Sequence, residues 1–396
     1  MAQTVQELSD ATDLKDFVHT GPGTLAGAYM RSFWQPIHLS QHLPAGRAVP
    51  VRIMSEDFTL YRGASGTPHL LAFRCAHRGT QLSTGWVEGD DLRCFYHGWK
   101  YNGSGQCIEQ PAEPEPFCQR IRIKGYPVQE YLGLIFAFLG EGEPPAMPRY
   151  PVLEQDGVVD NRIQTLACNY FNRLDNSMDP IHVAFVHYFR RVGSQFRSGR
   201  MPSLEAEETD WGFTTMTQWP EGLEGENPLH HYVMPNAFLI RIESNEDRGV
   251  REHCSWRVPV DDEHHLSVNA SCLLISGEQA EAFRTHRQTQ RSQGMDASRS
   301  DPAQKGEAVL AGEMALDDAE NDWNLYDVQD YVAQVGQGRV VQQANDHLGY
   351  VDLGVSLLRK VWARELAKLS KNEPIKVWQP ELIASTVVGG RATRKG

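Results

Sequence analysis

Residues Cys75 to Trp99 read CAHRGTQLSTGWVEGDDLRCFYHGW, and the placing of Cys75, His77, Cys94 and His97 within that stretch decides the character of the N-terminal third of the chain. Each half supplies one thiolate and one imidazole within reach of each other. The sixteen residues between His77 and Cys94 return the second half beside the first when both sit at hairpin tips. The product is a four-ligand site of mixed Cys and His, which two chemistries satisfy. A single zinc ion takes Cys2His2 in a tetrahedron. A [2Fe-2S] cluster takes two cysteines on one iron and two histidines on the other, which raises its potential above that of an all-cysteine cluster. Gly79 and Gly98 let backbone amides approach cluster sulfides, while Trp86, Phe95, Tyr96, Trp99 and Tyr101 limit water access, features that favour the cluster.

Around this site, short runs from Val49 to Arg74 and from Ile121 to Phe138 are rich in β-branched and aromatic residues and broken by Gly, Pro and Ser, so they read as strands of a small all-β domain. GEGEPPAMPRYP, Gly140 to Pro151, carries four prolines and reads as a linker. Beyond it, Asn176 to Val186 and Trp323 to Val335 have helical periodicity, with Pro180 tolerated in a first turn. Trp211 to Trp219, His230 to Ile242, Cys254 to Val260 and Leu266 to Ile275 read as four strands, and Glu278 to Val309 as a helix followed by a loop. The expected class is α+β, an all-β metal domain followed by a larger domain with an antiparallel sheet flanked by helices. The expected divisions are 1–43, an N-terminal helical segment packing on the second domain; 44–143, the metal domain; and 144–396, the catalytic domain.

A chain of 396 residues is long enough for two cored domains. Its longest apolar run, near Leu132 to Leu139, falls far short of the ~18 residues of a membrane span, and the first twenty residues lack a basic region followed by an apolar core. A soluble, cytoplasmic protein without a membrane partner is expected. The formal charge of -13, with Arg190, Arg191, Arg197 and Arg200 as the densest basic stretch, argues against a nucleic-acid partner. Seven cysteines in so long an intracellular chain point to metal before disulfide.

A second constellation lies in NYFNRLDNSMDPIHVAFVH, Asn169 to His187. His182 and His187 are five apart, displaced about 140° on a regular helix, so both face one ion only if the helix is distorted or His187 lies near its end. Two imidazoles and a carboxylate on one face of an octahedral iron leave adjacent positions for O2 and substrate. Asp175, Asp179 and Asp330 are available carboxylates, and spacing does not choose among them. Asn169 and Asn172 either orient a ligand or cap a turn. Phe171, Phe185, Val186, Tyr188, Met234 and Phe238 are candidate pocket walls, and Arg190, Arg191 or Arg197 candidate partners for a substrate carboxylate.

Taken with the first site, the chain resembles the catalytic α subunit of a Rieske non-haem iron aromatic-ring oxygenase: Cys75 to Tyr101 is similar to the Rieske motif, and GPGTLAGAYMRSFWQP at Gly21 to Pro36 to the start of the phthalate-dioxygenase-like branch. The resemblance implies an enzyme with a [2Fe-2S] cluster on Cys75, His77, Cys94 and His97, and Fe(2+) on His182, His187 and Asp330. Asp327 is the alternative third ligand, and Gln329 stands where the family has an acid. It implies a bridging role for Asp179, between a neighbouring subunit's cluster and His182, and pocket roles for Asp175 and Asn169. Electrons from NAD(P)H would arrive through a separate reductase, with or without a ferredoxin domain. The assembly would be a homotrimer or stacked hexamer, and the reaction O2-dependent ring hydroxylation of a small aromatic acid, with O- or N-demethylation as the alternative. A zinc-stabilised binding module and a pure electron-transfer protein are the readings from other classes; the latter leaves His182 and His187 unused.

Overall fold

The computed structural model describes residues 13–187, 202–218, 229–243, 250–292, 302–319, 325–341 and 345–385. In the N-terminal part, strands Ala48–Ile53, Glu56–Arg62, Pro68–Ala72 and Gly125–Tyr126 form one antiparallel sheet. Trp86–Glu88, Asp91–Arg93, Lys100–Tyr101 and Cys107–Glu109 form a second. The apolar run is the central strand Leu134–Phe138 of a third sheet, buried at every position between Trp34–Leu39 and Val128–Tyr131. A strand covered on both faces has no polar side, which is why its sequence shows a continuous run in place of alternation.

The larger domain is built on a seven-stranded antiparallel sheet in the order Val158–Leu166, His265–Leu273, Val250–Pro259, Ala237–Glu243, Leu229–Val233, Gly212–Gln218, Ser203–Glu208. The α+β class therefore holds, with more strands than expected. The stretch His230 to Ile242 is two strands folded at Met234–Asn236. The edge strands Val158–Leu166 and Ser203–Glu208 carry polar, helix-compatible residues and are strands because a hydrogen-bonding edge is presented to them.

The two sheet faces differ, because side chains alternate along each strand. One face presents Trp256, Val258, Val268 and Ala270 to the N-terminal part, where Trp256 packs edge-on against Phe136 at 5.9 Å and Tyr150 at 5.2 Å. The other presents Phe238, Ser255, Arg257, Ser267 and Asn269 and is covered by helix Tyr170–Ser177. That helix packs in turn on Leu325–Val335. At the opposite side of the helix layer, the fully buried Trp362 of Leu353–Ser370 meets Tyr29 at 4.9 Å and Phe171 at 5.6 Å. The N-terminal helix Leu25–Arg31 is thereby fastened to the C-terminal one; truncating such a Trp to Ala costs about 3–5 kcal/mol.

Two expected elements differ. The single helix over Asn176 to Val186 is broken: Tyr170–Ser177 ends at Met178, Pro180 starts a new turn at Pro180–His182, and Val183–His187 winds as a π-helix. Proline has no N–H to continue the first helix, and its ring excludes the preceding carbonyl. The loop expected after the helix Gly277–Ser292 contains a further helix, Pro302–Leu310, with proline at its first position, where a missing N–H costs nothing. Among the described residues no helix is long and apolar enough to cross a membrane.

Candidate metal centres

The first centre is two matched loops. Cys75 N–H donates to Thr80 O at 2.8 Å and Gly79 N–H to Cys75 O at 2.9 Å; in the other loop Cys94 N–H donates to Trp99 O at 2.9 Å and Gly98 N–H to Cys94 O at 3.1 Å. Such tight closure puts Gly79 at φ 75° and Gly98 at φ 77°, a region side chains avoid, and a Cβ on Gly98 would also lie 2.7 Å from Pro111 Cγ. Cys75 and Cys94 are buried, and the rings of His77 and His97 sit 4.5 Å apart, half-buried. Tyr101 Oη lies 3.2 Å from Cys75 Sγ and accepts from Ala76 N–H at 3.2 Å, while Trp99 stacks on His77 at 4.6 Å. Burial pushes the Cys94 thiol above its ordinary range, so a thiolate here needs metal charge to sustain it. Trp99 and Tyr101 shield the site as expected; Trp86, Phe95 and Tyr96 do not, being 56 %, 48 % and 52 % exposed.

The donor geometry separates the two metal chemistries. Zinc bonds of about 2.0–2.3 Å bring all four donors of a tetrahedral site within roughly 4 Å of each other. Among the described residues, the group of three or more donors within 4.8 Å of one another lies elsewhere, at His182, His187 and Asp330. Donors divided in pairs over two irons fit that wider spread, and the buried, unpartnered Nδ1 of His77 is an orphan that a metal would satisfy.

The second centre assembles in the helix layer. Among the described residues, His182, His187 and Asp330 form the group whose donor atoms all lie within 4.8 Å. Nε2 of His187 is 3.4 Å, and Nε2 of His182 3.7 Å, from Asp330 Oδ1, a buried oxygen with no hydrogen-bond partner. The π turn removes the 140° difficulty: i→i+5 hydrogen bonding winds more slowly, so residues five apart return to one face. Each ring is oriented from behind, His182 Nδ1 by the Asp179 carbonyl and His187 Nδ1 by Gln329 Oε1 at 3.0 Å. Both Nδ1 atoms donate, which leaves both Nε2 lone pairs facing Asp330. Arg173 Nη1 donates to Asp330 Oδ2 at 2.8 Å. Burial alone would raise the Asp330 carboxyl, but Arg173 and the two histidines outweigh it and hold the group well below the carboxylate range.

The other expected site residues have the following partners. Asp175 is in a buried ion pair with Arg359 at 2.5 Å, and Arg359 also holds Asp346 at 2.7 Å. Asn169 caps Tyr170–Ser177 by accepting from Phe171 N–H at 2.9 Å, and its amide donates to Val18 O at 2.9 Å and Asp262 O at 2.7 Å. Asn172 donates to the carbonyls of Gln334 and Gly338. The Asp179 carboxylate accepts from the backbone N–H groups of Ile181 and His182, so it reaches the His182 ring only through its own carbonyl. Asp327 stays outside the three-donor group, and burial pushes its carboxyl up. Phe171 is core, stacked on Phe17 at 5.2 Å, and Met234 is buried, so neither is a free pocket wall. Tyr188, Arg190, Arg191, Arg197 and Arg200 lie outside the described residues. Arg173 and Gln329 were not anticipated as partners of the site; the one signal was that Gln329 adjoins Asp330.

Residues 33–131 match the Rieske [2Fe-2S] domain. The chain is 31 % identical over 371 residues to the 5,5'-dehydrodivanillate O-demethylase oxygenase subunit of Sphingobium sp., covering 89 % of this chain and 79 % of that one. The chain belongs to the Rieske non-haem iron aromatic-ring oxygenases. A second relative, the phenoxybenzoate dioxygenase subunit alpha of Ectopseudomonas oleovorans, is 31 % identical over 371 residues, covering 87 % of this oxygenase and 82 % of that subunit. Among solved structures, a reduced complex between oxygenase and ferredoxin in carbazole 1,9a-dioxygenase matches with a TM-score of 0.63 at 18 % identity, covering 96 % of this chain and 99 % of that one, a likeness of fold. This oxygenase thus carries a Rieske cluster and a mononuclear iron at a two-histidine, one-carboxylate site.

Proposed function

We propose that this oxygenase hydroxylates the ring of a small aromatic acid, with Cys75, His77, Cys94 and His97 holding the cluster and His182, His187 and Asp330 the mononuclear iron. The observation that carries the reading is the convergence of two Nε2 atoms on the unpartnered Oδ1 of Asp330. When bound, the cluster supplies electrons singly and the mononuclear iron supplies O2 activation. The protein's part is positional: Asp179 and Gln329 orient the two imidazoles, and Arg173 keeps Asp330 ionised and fixed in rotamer. Electrons come from NAD(P)H through a separate reductase or ferredoxin in the cytoplasm, where that reductant is made. The enzyme is a homotrimer or stacked hexamer of the phthalate-dioxygenase-like branch, in which His97 of one subunit approaches Asp179 of the next. The exposed Phe95 and Tyr96 beside His97 supply an apolar contact for such an interface.

A second reading is O-demethylation, which the likeness to an O-demethylase oxygenase subunit favours. Turnover under 18O2 separates the two. Label retained on the ring supports hydroxylation, and stoichiometric formaldehyde with a phenol supports demethylation. Metal analysis giving zinc without iron or acid-labile sulfide would overturn both.

A further inference from the structure

The sheet face under the iron-site helices holds a buried cation without a counter-ion. Arg257 is 4 % exposed. Its Nη1 donates to Ser255 Oγ at 2.6 Å and to Ser267 Oγ, its Nε is buried with no acceptor, and among the described residues no carboxylate lies in ion-pair range. Asp330, whose charge acts on Arg257, is already engaged by Arg173 and faces both imidazoles. Burial and the neighbouring Arg173 push the Arg257 guanidinium down from its ordinary range, the response of a charge that lacks compensation. Leaving such a charge inside a protein without compensation is unfavourable.

The surroundings define the ligand. Both serines bind Nη1, and the buried Nε has no acceptor; the Nε–Nη2 edge of a guanidinium takes a carboxylate with two parallel N–H···O bonds. Phe238 pairs with Ser255 and Ile240 with His253 on the adjacent strand, so both apolar side chains lie on Arg257's face of the sheet, Phe238 roughly 7–8 Å diagonally from it. Phe238, Ile240, His253 and Asn269, on the same face, are half-buried.

We propose that Arg257, held by Ser255 and Ser267, binds the carboxylate of the aromatic acid, with the ring lying along Phe238 and Ile240 and its reacting carbon directed to the His182, His187 and Asp330 centre. This rests on the aromatic-acid reading above and adds the residue that recognises the acid.

The test is calorimetric binding of 3-chlorobenzoate and of 3-chlorobenzamide to the metal-replete oxygenase, in wild type, Arg257→Gln and Arg257→Lys, with Tm measured on each. Arg257→Gln weakens the acid roughly 10- to 100-fold and leaves the amide within a few-fold, and Arg257→Lys recovers part of the loss. Tm of Arg257→Gln is unchanged or higher, because an uncompensated charge has been removed. Equal loss of acid and amide together with a lower Tm makes Arg257 structural and overturns the proposal. So does wild type that prefers the amide, even if that enzyme oxygenates a neutral aromatic and the oxygenase reading stands. Acid binding that depends on Arg257, with no oxygenated product from any aromatic, sinks the functional reading and leaves the binding site in place.

Discussion

Asp330 is placed by opposing demands. It must stay ionised in a buried setting to serve a cation, and Arg173 makes that possible by occupying Oδ2 while Oδ1 stays open toward the histidines. Asp330→Ala is expected to lose mononuclear iron and at least 100-fold in turnover while keeping acid-labile sulfide; iron and sulfide assays on the same sample check it. Asp175 shows the opposite balance. Burial raises its carboxyl to about 6 despite the Arg359 pair. A folded-state pKa above the ordinary value means the folded protein binds the proton more tightly. The associated stability is present below about pH 4 and is lost as pH rises through about 6. Relative to Asp175→Asn, wild type should therefore lose roughly 2 kcal/mol between pH 4 and 6, and about 3 kcal/mol over the whole range from pH 3 to 7, in denaturant titrations; a difference that does not vary with pH refutes the assignment.

At the scale of elements, one short segment sets the iron geometry. Asn169 starts the helix, Pro180 breaks it, and the π turn realigns His182 with His187. Asn169→Ala removes the cap and leaves the Val18 and Asp262 carbonyls without its amide. The expected cost is about 2–4 kcal/mol, read as a lower Tm with the EPR signal of the reduced cluster unchanged. Pro180 and the five-residue histidine spacing were both visible in the text of the chain. The distortion that reconciles them was not, because the choice between α and π winding is made by what the turn packs against, here the helix Leu325–Val335.

For the whole molecule the central question is how electrons pass between centres. Asp179 is tied into the turn by two backbone N–H groups, and asparagine caps such a turn as well as aspartate does. Asp179→Asn thus removes charge with the cap retained: it should keep both metals and lose most coupled turnover, and normal turnover in a cluster-replete preparation would end the bridging role. Subunits lacking the cluster through Cys75→Ser, assembled with subunits carrying Asp330→Ala, should regain activity if transfer crosses between neighbours.

The Cys75 to Trp99 stretch determined its own chemistry locally, since ligands two and three residues apart need only tight glycine-bearing loops to converge. The same holds for the strands beside the motif, whereas the alignment of His182 with His187 waited on the packing of the π turn against Leu325–Val335. What lay at long range was decided by the tertiary structure. Asp330 is 143 residues from His187, Arg257 stands in a strand between Trp256 and Val258 with nothing in the sequence to mark its burial, and Asp175 is paired with Arg359, 184 residues away. A side chain's charge state and partner depend on what is folded against it, so periodicity and spacing carry no record of either.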